Sequence, residues 1–269
     1  MGKKERIDVR LVQEGFFPSR EQAKRSIMAG KVLVDDEVVL KPGQLVGIDQ
    51  TIRLKGQTMR YVSRGGYKLE KALRTFQIDL TDAVVLDIGA STGGFTDCAL
   101  QHGAKQVYAV DVGYNQLDWR LRSDPRVVVM ERLNFRYATP DLFPLSPDVA
   151  MIDVSFISLR LILPPLYPIL RSNGKVIALI KPQFEAGKER VGKKGVVRDP
   201  RVHEEVLLEL LDFMTQQGYH VQGLTPSPIR GGEGNIEFLA YLIKAQDDQE
   251  TLAPTIDVKK TVEEAHKLG

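Results

Sequence analysis

The chain has 269 residues, of which 43% are apolar, so it can form one large packed domain or two unequal ones. Its single cysteine, Cys98, and four scattered histidines exclude an internal disulfide framework, and they offer so few ligands that we expect no metal. No apolar run reaches about 18 residues and no signal-peptide core is present, which favours a cytoplasmic protein without membrane insertion. The net charge of +2 is uneven: residues 1–60 carry 12 Lys and Arg against 8 Asp and Glu (+4), and residues 61–269 carry 25 against 27 (−2). A basic module on a near-neutral body suggests a polyanionic partner.

Residues 1–59 form the first predicted domain, a small α+β module. Apolar residues at helical spacing predict two short helices, and Ser19 is placed to cap the second. These residues are Ile7, Val9, Leu11 and Val12, then Ala23, Ile27 and Met28. Short apolar runs between turn-forming residues predict strands at residues 32–34, 38–39 and 51–54. Two helices therefore lead into a small sheet.

Several short motifs in this module resemble the S4-type RNA-binding domain of ribosomal proteins and RNA-modifying enzymes. They are Ser19-Arg20, Ala23-Lys24, Ile27, Gly30-Lys31-Val32, Val34-Asp35 and Lys41-Pro42-Gly43. The resemblance implies that basic side chains on one face contact RNA phosphates, which positions a protein on RNA without reading its sequence. The implied contacts are Arg6, Arg20, Lys24, Arg25, Lys31 and Lys41. Charge alone would favour an ordinary solvated basic surface, whereas the spacing of helices and turn favours RNA.

The second domain is predicted to begin at residue 64, after an interdomain linker at residues 60–63. Ser63 is placed to cap a helix that continues through Phe76. Lys68 falls in the first turns of this helix, where the helix dipole does not stabilise a cation, so its position needs another explanation. Arg64 is added to the predicted RNA contacts.

Residues 84–100 predict a buried strand, a glycine-rich turn and a helix that begins near Thr96, which is the layout of a nucleotide-type cofactor site. A second strand ends in Asp111, 22 residues after Gly89, where an acid meets ribose hydroxyls in nucleotide-binding βαβ units. The turn spacing, G-x-S-x-G-G, departs from the dinucleotide pattern and points to S-adenosylmethionine, which has no pyrophosphate. The predicted cofactor contacts here are Asp87, Gly89, Ala90, Ser91, Gly93, Gly94, Asp111 and Val112. An ordinary glycine-rich turn in an α/β protein is the alternative.

Further strands at residues 127–130, 148–154 and 175–181 predict a parallel sheet with helices on both faces. Ligands of open α/β sheets lie at the carboxyl ends of the strands. Leu133 and Asn134 follow the first of these strands and are predicted to contact an adenine ring. Asp153 and Lys181 fall at the tips of the other two strands, and Asp153 is also a predicted cofactor contact.

The C-terminal part of the chain predicts a glycine-hinged basic loop, a helix and an antiparallel pair of strands. The loop, at residues 183–201, includes Lys188 and either closes over substrate phosphates or is a solvated connection. An amphipathic helix at 204–217 precedes strands at 219–224 and 236–243, and a last helix is predicted at 256–268. Glu237 begins the last strand and so faces the same edge as Asp153 and Lys181.

The predicted layout brings Lys68, Asp153, Lys181 and Glu237 to the rim of one crevice, and this set resembles the K-D-K-E tetrad of RNA 2′-O-methyltransferases. From about residue 4 to residue 268 the chain is similar to the TlyA-type (haemolysin A-like) ribosomal RNA methyltransferases. The resemblance rests on SRGGYKL (63–69), LDIGASTGGFT (86–96), DVSFIS (153–158), KPQFEAG (181–187) and GVVRDP (195–200). It implies an α/β fold, a Rossmann-like class I methyltransferase of the FtsJ type, behind an N-terminal S4 domain.

The resemblance further implies S-adenosylmethionine as cofactor, 2′-O-methylation of cytidine, and ribosomal RNA or a ribosomal subunit as partner. A ribose 2′-hydroxyl is a poor nucleophile and must lose its proton as it attacks a methyl group, so a base is needed. Lys181, flanked by Lys68, is the predicted base. Asp153 and Glu237 would orient the two lysines, and Lys68 would hold the attacking oxygen or a neighbouring phosphate. We expect a monomer or a weak dimer.

Other classes of function make different demands. A cofactor-free RNA-binding or ribosome-assembly factor would need only the S4-like module. A membrane-active haemolysin would need a spanning or strongly amphipathic basic segment, which the sequence lacks. A carbon-5 pyrimidine methyltransferase needs a thiol nucleophile, and Cys98 lies inside the predicted turn helix. An exocyclic-amine methyltransferase usually carries an Asn/Asp-Pro-Pro-aromatic stretch, which is absent.

Overall fold

A computed structural model describes residues 4–17, 19–48, 50–55, 60–192, 194–245 and 255–267. The chain separates into two compact units, Met1–Arg60 and Tyr61–Gly269. The predicted end of the first domain at residue 59 lies outside the described residues, as do Lys193 of the basic loop and Leu268 at the predicted end of the last helix. A separate linker at residues 60–63 remains a prediction.

The first unit combines two helices with two small sheets. Its elements are β1 (Lys4–Arg6), α1 (Ile7–Gln13), α2 (Arg20–Met28), β2 (Val32–Val34), β3 (Glu37–Val39), β4 (Leu45–Gly47) and β5 (Ile52–Leu54). Antiparallel pairing gives a three-stranded sheet in the order β3-β2-β5 and a separate β1-β4 pair. The sequence does not predict β1, because its residues are Lys-Glu-Arg and carry no apolar pattern.

Helical spacing explains the core of the first unit. Ile7 and Leu11 on α1, and Ala23 and Ile27 on α2, are fully buried. Residues four apart lie on the same face of a helix, so each pair presents one continuous apolar contact. The predicted helices are therefore confirmed in place, and their packing faces are confirmed except at Met28, which is 61% exposed.

The second unit is a sheet between helices. Its elements are α3 (Gly65–Phe76), β6 (Val84–Ile88), α4 (Gly94–Gln101), β7 (Gln106–Val110), α5 (Trp119–Arg122), β8 (Val127–Met130), β9 (Val149–Ile152), α6 (Leu163–Ile169), β10 (Lys175–Ile180), α7 (Pro182–Glu185), α8 (Pro200–Gln216), β11 (Tyr219–Pro226), β12 (Phe238–Lys244) and α9 (Val258–Lys267). Alternate residues of β6 enter opposite cores: Leu86 and Ile88 belong to one cluster and Val85 to the other. Side chains alternate across a strand, so a sheet covered on both faces needs apolar residues at every position.

The described strands of this unit form one seven-stranded sheet in the order β11-β12-β10-β9-β6-β7-β8. Neighbouring strands are parallel except that β12 runs antiparallel to both β10 and β11. The chain builds outward from β6 through β7 to β8, then returns to place β9 on the other side of β6. The crevice at this reversal of strand order is where open α/β sheets bind ligands.

Two predicted helix starts near the glycine-rich turn are wrong. Ser63 does not cap α3, which begins at Gly65 after Arg64 and has no side-chain cap; the Ser63 carbonyl instead accepts from the Gly66 amide at 3.2 Å. The helix α4 begins at Gly94 rather than near Thr96, because Gly93 has a φ of 97° and starts the helix directly from the turn. Ser19 does cap α2 as predicted, by accepting from the Gln22 amide at 3.4 Å. In the described part of the chain, no helix is long and apolar enough to span a bilayer.

Candidate active site

The edge of the sheet at which β6, β9 and β10 end brings together residues from distant parts of the chain. Asp153 directly follows β9 and Lys181 directly follows β10, and these strands pair with each other. Glu237 directly precedes β12, whose first residue, Phe238, is paired with Ile180 at the end of β10. An antiparallel strand starts where its parallel neighbour ends, so Glu237 reaches the same edge. Lys68 comes from α3 and completes the group.

The four residues form a continuous chain of ion pairs. Lys68 Nζ donates to Glu237 Oε2 at 2.6 Å and lies 3.9 Å from Asp153 Oδ2. Lys181 Nζ lies 2.6 Å from Asp153 Oδ1 and donates to the Ser155 hydroxyl oxygen at 2.9 Å. Asp153 therefore lies between the two lysines, whereas the sequence predicted that Lys68 flanks Lys181 directly.

Burial makes these contacts strong. Lys68 and Lys181 are buried, and Glu237 is only 2% exposed. Burial by itself would lower the pKa of Lys68, but the carboxylates of Asp153 and Glu237 outweigh it and leave that pKa raised. Burial likewise opposes ionisation of Asp153, and the two lysines overcome it and lower the pKa of Asp153. Lys68 is therefore cationic and Asp153 anionic at neutral pH.

Two adjoining cavities, each of about 340 Å³, open on this edge. The first contains the tetrad and is lined also by Arg64, Ser155 and Arg230, and we call it the tetrad cavity. The second lies between the ends of β6 and β7 and the segment after β8, and we call it the turn cavity. Both are lined by Gly89, Ser91, Asp153 and Ser155, so they share one wall.

The turn cavity fits a nucleoside. Its lining is largely apolar, which suits an adenine ring, and includes Ile88, Val110, Leu133, Phe135, Ile157 and Ile162. Asp111 stands at its edge, with one carboxylate oxygen accepting from the Ser91 amide at 2.8 Å and the other from the Gly113 amide at 2.7 Å. Each oxygen keeps a second lone pair, and ribose hydroxyls are suitable donors to it.

The glycine at the start of the turn is required by space. Gly89 has a φ of 86°, and a Cβ there would lie 2.5 Å from the Asp153 carbonyl oxygen. A side chain would therefore push the turn away from the residue that bridges the two lysines.

Most predicted cofactor contacts line the cavities. Gly89, Ser91, Asp111, Val112, Leu133, Asn134 and Asp153 line the turn cavity, and Ala90 and Gly94 line the tetrad cavity. Asp87 and Gly93 line neither. Asp87 is fully buried, and burial raises its pKa to about 7 although it accepts a hydrogen bond from the Thr96 hydroxyl at 2.6 Å. Gly93 packs against the side chains of Leu117 and Leu121. Both residues thus support the turn from behind, and their geometry does not favour direct contact with a cofactor.

The predicted RNA contacts differ in their surroundings. Arg25, Lys31, Lys41 and Lys188 are exposed, and Lys24 pairs with Glu21 at 3.4 Å. Arg6 and Arg20 both pair with the buried carboxylate of Asp8. Arg64 lines the tetrad cavity. Their contact with RNA remains a prediction.

Sequence reasoning missed two residues that shape the tetrad. Ser155 holds Lys181, and its only signal was its position two residues after Asp153 in the DVSFIS motif. Gly231 lies so close to Glu237 that a Cβ would be 1.8 Å from Oε1. No local pattern could have shown this contact, because it depends on how the 227–237 turn folds back on itself.

A mostly parallel seven-stranded sheet with one reversed strand, and a glycine turn answered by an acid on the next strand, define a class I methyltransferase. Comparison with known proteins agrees: residues 61–244 match the FtsJ-like methyltransferase family model, and residues 5–52 match the S4 domain model. The chain belongs to the FtsJ-like methyltransferase family, which confirms the predicted fold class and the resemblance.

Three similar proteins span nearly the whole chain. The "16S/23S rRNA (cytidine-2'-O)-methyltransferase TlyA" of Mycobacterium tuberculosis is 42% identical, over 93% of this chain and 93% of its own. "Hemolysin A" of Brachyspira hyodysenteriae is 43% identical, over 88% of this chain and 99% of its own. A solved structure from Streptococcus thermophilus is 52% identical and matches with a TM-score of 0.81, covering 100% of this chain and 98% of that one.

Proposed function

We propose that this protein uses S-adenosylmethionine to methylate the ribose 2′-hydroxyl of cytidine in ribosomal RNA. The observation that carries the proposal is the buried chain of ion pairs from Glu237 through Lys68 and Asp153 to Lys181, set beside a nucleoside-sized cavity. Membership of the FtsJ-like family supports methyl transfer, and the 42% identical relative, named as an rRNA (cytidine-2'-O)-methyltransferase, supports ribosomal RNA and cytidine. The S4 match supports RNA docking by the first unit.

In this proposal the turn cavity holds the cofactor, with Asp111 at the ribose hydroxyls and Leu133 and Asn134 at the adenine. When bound there, S-adenosylmethionine supplies a sulfonium methyl group, which is electrophilic. The tetrad cavity receives the target nucleotide. Gly89, Ser91, Asp153 and Ser155 form the wall that both reactants share, so acceptor and donor meet at the tetrad.

Lys181 is the proposed base. An ammonium group has three N–H donors, and Asp153 and Ser155 account for two directions around Nζ. The third direction is left for the ribose 2′-hydroxyl. For Lys181 to act as the base, this direction carries the lone pair of the neutral amine, which accepts the hydroxyl proton. Lys68, held by Glu237, stays cationic and binds the acceptor ribose or its phosphate. General-base catalysis accelerates a reaction about 10²- to 10⁴-fold. Alignment of the reactants by the tetrad must therefore supply the remaining rate acceleration.

The test is Lys181→Ala, assayed for transfer of labelled methyl groups to ribosomal RNA and, by calorimetry, for cofactor binding. We expect nearly complete loss of transfer with cofactor affinity retained. Lys175→Ala is the matched control, because Lys175 lies at the opposite end of the same strand. Transfer by Lys181→Ala within a few-fold of wild type would contradict the assigned role.

The target is tested separately. Ribose methylation mapped by mass spectrometry in ribosomal RNA, from cells with and without the protein, identifies the nucleotide and the subunit. A lost cytidine 2′-O-methyl group is the expected result. A cytoplasmic location and a monomer or weak dimer complete the proposal.

The name of the 43% identical relative favours a second candidate, a membrane-active protein. Liposome leakage that is unchanged in Lys181→Ala would support it. A cofactor-free RNA-binding factor would instead show no S-adenosylmethionine binding in calorimetry.

A further inference from the structure

One buried carboxylate in the first unit holds two arginines. Asp8 is fully buried, and Arg6 donates to it twice, from Nε to Oδ1 at 2.9 Å and from Nη2 to Oδ2 at 3.2 Å. Arg20 donates from Nη2 to the same Oδ2 at 2.7 Å. These pairs hold the pKa of Asp8 down at about 2, so it is ionised at any working pH.

The cluster joins three segments of the unit. Arg6 ends β1, Asp8 lies in the first turn of α1, and Arg20 begins α2. The Asp8 amide donates to the Pro42 carbonyl at 3.2 Å, which fixes the 41–43 turn beside the cluster. Gly43 of that turn lies against the Arg6 guanidinium, with its Cβ position 3.6 Å from Cζ. The Arg6 guanidinium is therefore held by packing as well as by charge, and the Arg20 guanidinium is held by its hydrogen bond to Asp8.

The charges in the cluster do not balance. Two arginines and one aspartate leave a net charge of +1, and the Arg6 and Arg20 side chains remain 49% and 53% exposed. Both donate to Oδ2, so their Nη2 atoms are at most 5.9 Å apart. Like charges this close repel, and a further anion that accepts from both would relieve the repulsion. A phosphate group, with its several acceptor oxygens, fits two fixed guanidinium forks.

We propose that Asp8 is a positioning residue which holds Arg6 and Arg20 as one binding site for a single phosphate of an RNA backbone. Asp8 does not touch the RNA and acts only through the two arginines. The inference rests on the proposed docking of ribosomal RNA by the first unit and deepens it, because it replaces a diffuse basic face by one organised contact.

This proposal and a purely electrostatic account predict opposite signs. If charge alone governed docking, removing the negative charge of Asp8 would tighten RNA binding, because the chain becomes more positive. If Asp8 positions the arginines, its removal weakens binding although the net charge rises. One substitution therefore separates the two accounts.

The experiment measures binding of the full-length Asp8→Asn variant to purified ribosomal RNA at several salt concentrations. We expect affinity about three- to tenfold below wild type, as for the loss of one charge-assisted contact. Asp35→Asn is the matched control: it makes the same charge change in the same unit, but Asp35 accepts from Gln50 and from the Thr51 amide. The control should bind as well as wild type or slightly better. Affinity of Asp8→Asn equal to or above wild type overturns the proposal.

Thermal melting shows whether Asp8→Asn still folds. If it does not, a second pair of variants tests the same proposal. Arg6→Lys and Arg20→Lys keep every charge but remove the guanidinium fork. Each should weaken binding by a similar factor and leave the dependence of binding on salt nearly unchanged, because the positive charge is kept. Wild-type affinity in both would refute the organised site.

Further measurements distinguish the ligand source and the underlying function. Inorganic phosphate added at constant ionic strength should not displace the RNA, because a single phosphate site binds a free ion weakly, whereas RNA is held by several contacts. Displacement of the RNA would assign the site to free phosphate and overturn the proposal. If the wild-type protein binds ribosomal RNA but does not methylate it, the proposed function is wrong. The comparison of RNA affinity between wild type and Asp8→Asn still tests the role of Asp8.

Discussion

Gly231 offers a way to disturb the tetrad without changing any of its members. Its backbone is extended, with φ of −76° and ψ of −168°, which any residue can adopt. Space is the constraint, because a Cβ would lie 1.8 Å from Glu237 Oε1 and 2.4 Å from its Cδ. In Gly231→Ala the Glu237 carboxylate must therefore move.

The size of the effect follows from these distances. Relief of the clash needs a shift of about 1.5 Å to reach ordinary van der Waals separation. Such a shift breaks the 2.6 Å pair between Glu237 and Lys68. Leaving a buried charge without any partner costs about 3–5 kcal/mol, and the cost here is smaller because Lys68 keeps Asp153 at 3.9 Å. If this change raises the activation free energy of methyl transfer by about 2 kcal/mol, the reaction slows about 30-fold.

The assay is single-turnover methyl transfer at saturating cofactor, with cofactor affinity measured by calorimetry. Gly232→Ala is the control, because no atom of the described residues lies within 4 Å of the added Cβ. A double variant, Gly231→Ala with Glu237→Asp, shortens the displaced side chain and should recover part of the rate. A rate within twofold of wild type in Gly231→Ala, or equal losses in both glycine variants, would refute the reasoning.

Two other predictions concern the turn and the protein's acid stability. In Gly89→Ala, the clash with the Asp153 carbonyl in a left-handed backbone should reduce cofactor affinity at least about tenfold in calorimetry, and unchanged affinity would contradict the close-approach argument. Burial lowers the pKa of His203 to about 4, so His203 is neutral in the fold and gains its proton more easily when unfolded. Its stabilising contribution is complete above pH 6.5 and is lost as pH falls towards 4, by about 2 kcal/mol at pH 5. Urea unfolding at pH 7 and pH 5 should show this loss in wild type and a smaller one in His203→Gln; equal losses would contradict it.

The sequence predicted those parts of the fold that depend on local pattern. Apolar runs at β6, β9 and β10 are visible because both faces of these strands are buried. Since parallel strands end at one edge, the meeting of Asp153 with Lys181 followed from the strand assignments alone. Local pattern could not distinguish Asp87 from Asp111, because both are acids near strand ends, and only the register shows that Asp87 lies inside the core.

Contacts between distant turns were beyond local pattern. The pairing of Arg6 and Arg20 through Asp8 depends on how β1, α1 and α2 pack. The hydrogen bond from Lys181 to Ser155 depends on the course of two neighbouring segments after their strands end. Such contacts are set by tertiary packing, and they are the ones that fix side-chain directions in the proposed site.

The charges of the tetrad suit the proposed reaction. Lys68 and Lys181 balance Asp153 and Glu237 when all four are ionised, and the neutral Lys181 needed for a base leaves the group at −1. That charge is opposite to the +1 of a sulfonium donor in the adjoining cavity. In the proposed reaction Lys181 would take the hydroxyl proton, which would return the tetrad to zero, and the donor would become neutral at sulfur once its methyl group had passed to the ribose oxygen. One positive charge would thus pass from the donor to the tetrad, and the summed charge of tetrad and donor would be zero before and after the transfer.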